Sequence, residues 1–219
     1  MFPVTLDLAG RTVVVVGGGA VGRRKAVAAA AAGARVLVVN PASGPRQRAV
    51  PEHLEDAQEQ PADAGRSPTI IVEPYRPVHL TGAALVFACA TPEVNARVVA
   101  DCRTRGVWVN SATDPAAGDF TLPAVHAVGR LTLAVATGGA SPALARRVRD
   151  RLAGQFDAAF AVWVELLNEV RGQVLVTVAD PTRRRQLLND FADWPWLDRV
   201  RAEGVAAVRE AMLAAVGGG

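Results

Sequence analysis

Lysine is almost missing from this chain: its Lys and Arg together number 24, and Lys25 is the single lysine. Cysteine is nearly as scarce. Cys89 and Cys102 are the only two; they form no CxxC and have no histidine pair nearby, which argues against a zinc site or a disulfide framework and leaves both as core thiols. Every apolar run is broken by Arg, Asp or Gly well short of the length that crosses a bilayer. The start, Met1-Phe-Pro-Val-Thr-Leu-Asp, lacks the basic stretch and apolar core of an export signal. The expectation is a soluble, cytoplasmic protein with no membrane partner. Aromatic residues make up 5% of the chain and do not interleave with the arginines, so a nucleic-acid surface is not expected either. There is no internal repeat and no long low-complexity segment. What is abundant is apolar: half of the 219 residues are hydrophobic, enough for one ordinary domain plus a smaller appendage. Behind the net charge of +3 stands arginine, whose planar fork of donors grips carboxylates and phosphates, so the expected ligand is anionic.

The segment Thr12-Val-Val-Val-Val-Gly-Gly-Gly-Ala-Val-Gly22 joins a buried strand to a glycine turn and then to a helix, the order that a dinucleotide requires. Gly17 suits the tight turn off the strand, Gly19 lets main chain approach a pyrophosphate, and Gly22 lets the helix pack closely on the sheet. The helix start, with Ala20 and Val21, offers free N–H groups to phosphates. An alanine-rich stretch from Ala26 to Ala32 and a second strand, Arg35 to Val39, follow. Thr69 to Val72, Ala84 to Ala88 and Val107 to Val109 complete five strands alternating with helical patterns, which predicts a parallel sheet covered on both faces. Pro41 to Pro68 reads as a short exposed helix within a long loop. Asn40 and Pro41 end the second strand, where an acid commonly accepts both ribose hydroxyls of NAD; Asn40 can hydrogen-bond a hydroxyl, while Arg46 and Arg48 offer a grip on the 2′-phosphate of NADP.

Thr91 and Pro92 read as the cap and first residue of a helix that carries Asn95 and places Val94, Val98 and Cys102 on one face. After Asp114 the alternation stops. Phe120 to His126 and Leu131 to Thr137 predict a hairpin, which is marginal alone and finds an economical partner in a second subunit. A second glycine turn, Thr137-Gly-Gly-Ala-Ser-Pro142, leads into a helix bearing Arg146 and Arg147. Thr137, Gly138, Gly139 and Ser141 there suit a carboxylate or phosphate, and equally a capped helix with a solvated basic face. Asp180-Pro181 repeats the helix start, and Trp194, Trp196, Leu197, Val200, Val205 and Leu213 are the expected core of a C-terminal helical cluster. The loop Asn110 to Asp119 lies at the carboxyl edge of the sheet, where Asp114 suits a general base or an ordinary turn residue. His126 reads as a half-buried strand residue. The expected fold class is α/β: a Rossmann-like doubly wound parallel sheet (1–113), a small hairpin dimerisation region (114–150) and a helical C-terminal domain (151–219).

Several segments in order, Phe2-Pro-Val, Leu8-Ala-Gly-Arg, Val16 to Lys25, Ala88-Cys-Ala-Thr-Pro-Glu-Val-Asn95, Asp119-Phe-Thr-Leu-Pro-Ala124 and Ala136 to Arg146, resemble the precorrin-2 dehydrogenase/sirohydrochlorin ferrochelatase family, the N-terminal module of siroheme synthases. The resemblance implies a homodimer with exchanged second domains, NAD as oxidant, and conversion of precorrin-2 to sirohydrochlorin, with Fe2+ insertion in some members. It favours NAD over NADP, and it places Thr91 and Asn95 near the nicotinamide and Asn110 beside the tetrapyrrole. The family usually carries an aspartate at the position of Thr113; here either the next residue, Asp114, takes over its role, or the proton passes to water, or chelation is lost while hydride transfer survives, and Asp114 is the expected base. No resident metal site is expected. Two rival functions are a nucleotide-sensing regulatory module and a chelatase of the same fold. The picture overall is of two glycine-lined crevices facing each other, one for the diphosphate and one for a polyanionic macrocycle.

Overall fold

A computed structural model describes residues 2–41 and 67–218, so most of the expected loop helix, with Arg46 and Arg48, lies outside the described residues. The chain divides into two compact units, residues 1–121 and 122–219.

In the first unit β1 (Thr12–Val16), β2 (Arg35–Val39), β3 (Thr69–Ile71), β4 (Ala83–Ala88) and β5 (Trp108–Ser111) form one sheet in the order β3-β2-β1-β4-β5. Every pairing is parallel. The run of valines in β1 follows from its central place: side chains alternate between faces, and both faces are covered. Val13 and Val15 pack with Ala26 and Ala29 of α1 (Ala20–Ala31), whereas Val14 and Val16 pack with Val98, Val99 and Cys102 of α2 (Pro92–Arg105). Helices on opposite faces make the sheet doubly wound, as the sequence predicts. Thr91 caps α2 by accepting the Val94 N–H, with Pro92 at its first position. Residues 114–121 stay with this unit, for the Asp119 N–H donates to the Val109 carbonyl at 2.8 Å.

The second unit begins with the hairpin β6 (Ala124–Val128) and β7 (Leu131–Val135), turned at Gly129 and Arg130. Helix α3 (Pro142–Ala153) packs against both strands, so one face of the hairpin is covered from within the chain. Because α3 runs unbroken through residue 150, no element boundary falls at the expected domain limit. The helical cluster comprises α4 (Ala158–Thr177), α5 (Pro181–Phe191), α6 (Trp194–Glu203) and α7 (Val205–Gly217). Asp157, Asp180 and Asp193 cap the first three of these by accepting backbone N–H groups. Aliphatic and aromatic residues of α4 recur every three or four positions, Phe160, Trp163, Leu166, Val170 and Val174, and make that helix the spine of the core.

Two of the expected core residues are corrected. Trp194, at the first position of α6, is 56% exposed, and Val205, at the first position of α7, is 41% exposed. Both stand at helix starts on the rim of the core; the Trp194 ring still lies against Phe160 and Trp163, with centroids 5.9 and 6.2 Å apart. Leu197 and Val200 are buried as expected, Trp196 and Leu213 partly so, and Phe191 and Met212 join them. Leu197→Ala is expected to cost about 2–5 kcal/mol of stability, through lost burial and the cavity left behind. Val205→Ala should cost under about 1 kcal/mol. Denaturant titration followed by helical ellipticity checks the contrast.

Candidate functional site

At the carboxyl edge of the sheet, the ends of β1, β2 and β4 enclose a cleft of about 460 Å3 together with α2. Gly17, at φ 108°, has the left-handed backbone that its turn demands, and an added Cβ would lie 2.4 Å from the Cys89 carbonyl oxygen. A Cβ on Gly22 would lie 1.9 Å from the Gly17 carbonyl oxygen, so the first turn of α1 rests directly on the glycine turn. A Cβ on Gly19 would meet nothing within 4 Å and would project into open space. The turn is held from both sides: the Gly18 N–H donates to Asn40 Oδ1 at 2.9 Å, and Arg23 Nε donates to the Gly18 carbonyl at 2.9 Å. Gly19 is the N-cap of α1 and brings no side-chain acceptor. The N–H groups of Ala20, Val21 and Gly22 therefore carry the positive end of the helix with no capping side chain.

Gly17, Gly19, Asn40, Pro41 and Thr91, expected at a cofactor site, line this cleft. Ala20, Val21 and Gly22 form the helix start behind it. Asn95 is corrected. It is fully buried, its Oδ1 accepts the Ala90 N–H at 2.8 Å, and its Nδ2 donates to Thr113 Oγ1 at 3.0 Å, so its amide braces the turn after β4. Asn110 is also spent internally, accepting from Lys25 Nζ and donating to the Phe120 carbonyl at 2.8 Å. Asp119 Oδ2 accepts the Val109 N–H at 2.9 Å. Asp114 is exposed, with Oδ1 accepting the Ala116 N–H at 3.1 Å at the start of a short 3-10 turn, Pro115–Ala117.

Several cleft residues escaped the sequence reading. Tyr75 is buried against the cleft, and its hydroxyl donates to Asp101 Oδ2 at 2.9 Å. Burial, reinforced by that carboxylate, pushes its phenol well above the ordinary range. Arg97 lines the cleft with no ion-pair or hydrogen-bond partner among the described residues. Lys25 is half-buried, 5.0 Å from the centre of the Phe87 ring, and burial holds its ammonium below the usual lysine range. It does not line the cleft itself; its position one turn beyond Gly22, as the only lysine, is the signal that could have found it. Cys89 is not a core thiol as expected: it is partly exposed and lines the cleft, whereas Cys102 is buried. Burial raises the Cys89 thiol, an effect that nearby Lys25 and Arg24 oppose.

The second glycine turn belongs to the other unit. Gly138 and Gly139 have φ of 63° and 88°, which glycine alone adopts without strain. Thr137 Oγ1 accepts the Ser141 N–H at 3.0 Å, and Ser141 Oγ accepts the Leu144 N–H at 3.1 Å, so both hydroxyls close the turn and cap α3. Arg146 and Arg147 are exposed on that helix, without ion-pair partners among the described residues. His126 is half-buried on β6, with Nε2 enclosed and unpartnered among the described residues. No three of the described His, Cys, Asp and Glu residues group as a metal site, and no described helix is long and apolar enough to cross a membrane.

A parallel sheet ending in a glycine-lined cleft, beneath a helix start free of side-chain caps, defines the dinucleotide-binding class of α/β proteins. Known proteins narrow the class. A family model described as NAD(P)-binding matches residues 4–124, and another, described as sirohaem biosynthesis protein central, matches residues 128–155. The chain therefore belongs to this NAD(P)-binding family, and it carries the sirohaem-biosynthesis segment directly after it, as its motifs lead one to expect. Siroheme synthase 2 of Aeromonas salmonicida is 34% identical, over 99% of this chain and 46% of the relative. Siroheme synthase 2 of Aeromonas hydrophila is 35% identical, over 73% of this chain and 33% of the relative. The chain thus spans less than half the length of these curated relatives. The solved structure of SirC, a precorrin-2 dehydrogenase, shares the fold with a TM-score of 0.71 at 24% identity, covering 100% of both chains.

The two thiols provide a direct check of this site. Cys102, fully buried and with its thiol pushed up to about 12, should react with a thiol reagent only after unfolding. Cys89 should react in the native protein and more slowly once a dinucleotide is bound. Counting modified thiols against time with and without NAD measures both; native modification of Cys102 ahead of Cys89 would contradict the cleft.

Proposed function

We propose that this protein catalyses the NAD-dependent dehydrogenation of precorrin-2 to sirohydrochlorin, a step of siroheme biosynthesis. The observation that carries the reading is the conjunction of Gly19, open toward the cleft, with the uncapped start of α1 behind it. This is space and charge suited to a diphosphate, and the residues present fit the cofactor. The printed descriptions of the relatives supply the substrate.

NAD, when bound, supplies a hydride acceptor. Gly17 and Gly18 shape the turn, Gly19 would bring main chain up to the diphosphate, the N–H groups of Ala20 to Gly22 would neutralise it, and Asn40 would face the adenosine ribose. Thr91 borders the nicotinamide end. The tetrapyrrole is a polycarboxylate, and Arg146 and Arg147, without ion pairs among the described residues, suit its acid side chains. Dehydrogenation removes a hydride and a proton together, so a base is needed besides the cofactor. Asp114 takes that role: its exposed carboxylate accepts only the Ala116 N–H of its own turn among the described residues, whereas the Asp119 carboxylate accepts the Val109 N–H and so ties its loop to β5. The hairpin strands β6 and β7 pair only with each other in the described sheet, and their open edges support assembly of two chains into a homodimer. Iron insertion, if it accompanies the dehydrogenation, would take Fe2+ as a substrate.

Purified protein mixed with precorrin-2 and NAD should generate NADH and the absorption of sirohydrochlorin; inertness with both nicotinamide cofactors would refute the activity. Asp114→Ala should lower kcat roughly a hundredfold or more and leave NAD affinity unchanged. Turnover at the wild-type rate would remove Asp114 from the mechanism. Gly19→Ala should keep the wild-type melting temperature, since its Cβ meets no neighbour, and lose NAD affinity; Gly22→Ala should fail on stability instead.

A further inference from the structure

The loop that carries Asp114 leaves the sheet at the end of β5 and returns at Phe120, and one side chain holds both of its ends. Asn110 is buried in β5 just before the loop, and its Nδ2 donates at 2.8 Å to the Phe120 carbonyl just after it. Within the loop the Asp114 N–H donates to Ser111 Oγ at 3.2 Å, and the Gly118 N–H donates to the Pro115 carbonyl at 3.3 Å. The place of Asp114 therefore follows from a short closed loop whose neck is the Asn110 amide. An amide can hold that neck in only one orientation. Turned over, it would set its oxygen against the Phe120 carbonyl, acceptor against acceptor. The group on the other side of the amide selects between the two: Lys25 Nζ, which has donors only, donates to Asn110 Oδ1. Lys25 comes from the second turn of α1, and its ammonium lies 5.0 Å from the centre of the Phe87 ring. The Phe87 ring in turn meets the Phe120 ring edge to face, with centroids 5.7 Å apart. Residues of α1, β4, β5 and the far end of the loop thus meet at one point. Half-burial penalises the ammonium there. An apolar side chain would fill the same space without that penalty, but it would strand the Asn110 oxygen.

We propose that Lys25 is a positioning residue for the dehydrogenation: by holding the Asn110 amide in the orientation that grips Phe120, it fixes the Asp114 loop to the helix whose start receives the dinucleotide. The inference rests on the reading of Asp114 as the base.

Lys25→Met keeps the apolar stem and removes the donor. Amide hydrogen exchange in the full chain reads the loop without catalysis: exchange at Asp114, Ala116 and Gly118 should quicken about tenfold, the scale of one charge-assisted bond, while the amides of β1 keep their rates. With precorrin-2 and NAD, kcat should fall about tenfold, and the NAD Kd, from calorimetric titration without tetrapyrrole, should stay within about twofold. A merely structural role for Lys25 would weaken both together, and that result would overturn the proposal. Because Lys25 acts through Asn110, the double variant Lys25→Met, Asn110→Ala should be no slower than Asn110→Ala alone. Losses that multiply in the double variant, or loop exchange and kcat both at wild-type values in Lys25→Met, would also overturn it. Should Lys25→Met fail to fold, Asn110→Asp carries the test: its carboxylate pairs with Lys25 but has no donor for the Phe120 carbonyl, so kcat should fall with NAD affinity kept, and a wild-type kcat would overturn the proposal. Wild-type turnover of Asp114→Ala alongside quickened loop exchange in Lys25→Met would instead overturn the reading of Asp114 as the base.

Discussion

The carbonyl of Gly17 occupies the place where a β-carbon on Gly22 would sit, and the carbonyl of Cys89 the place where one on Gly17 would sit, so β1, β4 and α1 meet at a point with room only for main chain. That exclusion of side chains sets the direction of α1. The helix start is drawn onto the end of the central strand, and its N–H groups face the edge of the sheet where ligands collect. Asn40 and Arg23 then pin the turn from opposite sides, each through Gly18, and keep Gly19 clear.

The sheet beneath transmits this geometry. Val13 to Val16 are buried at 2% exposure or less, and their alternation binds α1 to one face and α2 to the other. The two loops that leave the carboxyl ends of β4 and β5 are cross-braced by buried amides. Asn95 joins the turn after β4 to Thr113, and Asn110 joins β5 to Lys25 and to the Phe120 carbonyl. Removing a partner from such a bond strands a desolvated polar group, which costs about 1–3 kcal/mol, so these residues fix the loops on which ligand-facing groups ride. The second unit is organised differently. Its core is spun from α4, and its hairpin is closed on one face by α3.

The fold was legible in the sequence because its signals are local. The valine run, the glycine spacing and the Thr91-Pro92, Ser141-Pro142 and Asp180-Pro181 starts each declare an element within a few residues, and the doubly wound sheet follows from their alternation. The cleft was legible as far as main chain makes it. Tyr75 and Arg97 were not, because the loop after β3 and a face of α2, separated along the chain, bring them to the same cleft, and no local period marks either. Asn95 and Asn110 show the converse limit: a polar residue beside a site can serve the backbone as readily as a ligand, and composition does not distinguish the two. Trp194 and Val205 are apolar residues at helix starts, where periodicity has too few neighbours to tell inside from outside.

The central claim is that the free N–H groups at the start of α1 receive a diphosphate. Amide hydrogen exchange at Gly19, Ala20 and Val21, with and without dinucleotide, tests it most directly. The account predicts fast exchange at these amides in the free protein and marked slowing once the dinucleotide is bound, with the buried amides of β1 unchanged. Slowing confined to other parts of the chain, with these three amides exchanging as before, would contradict it.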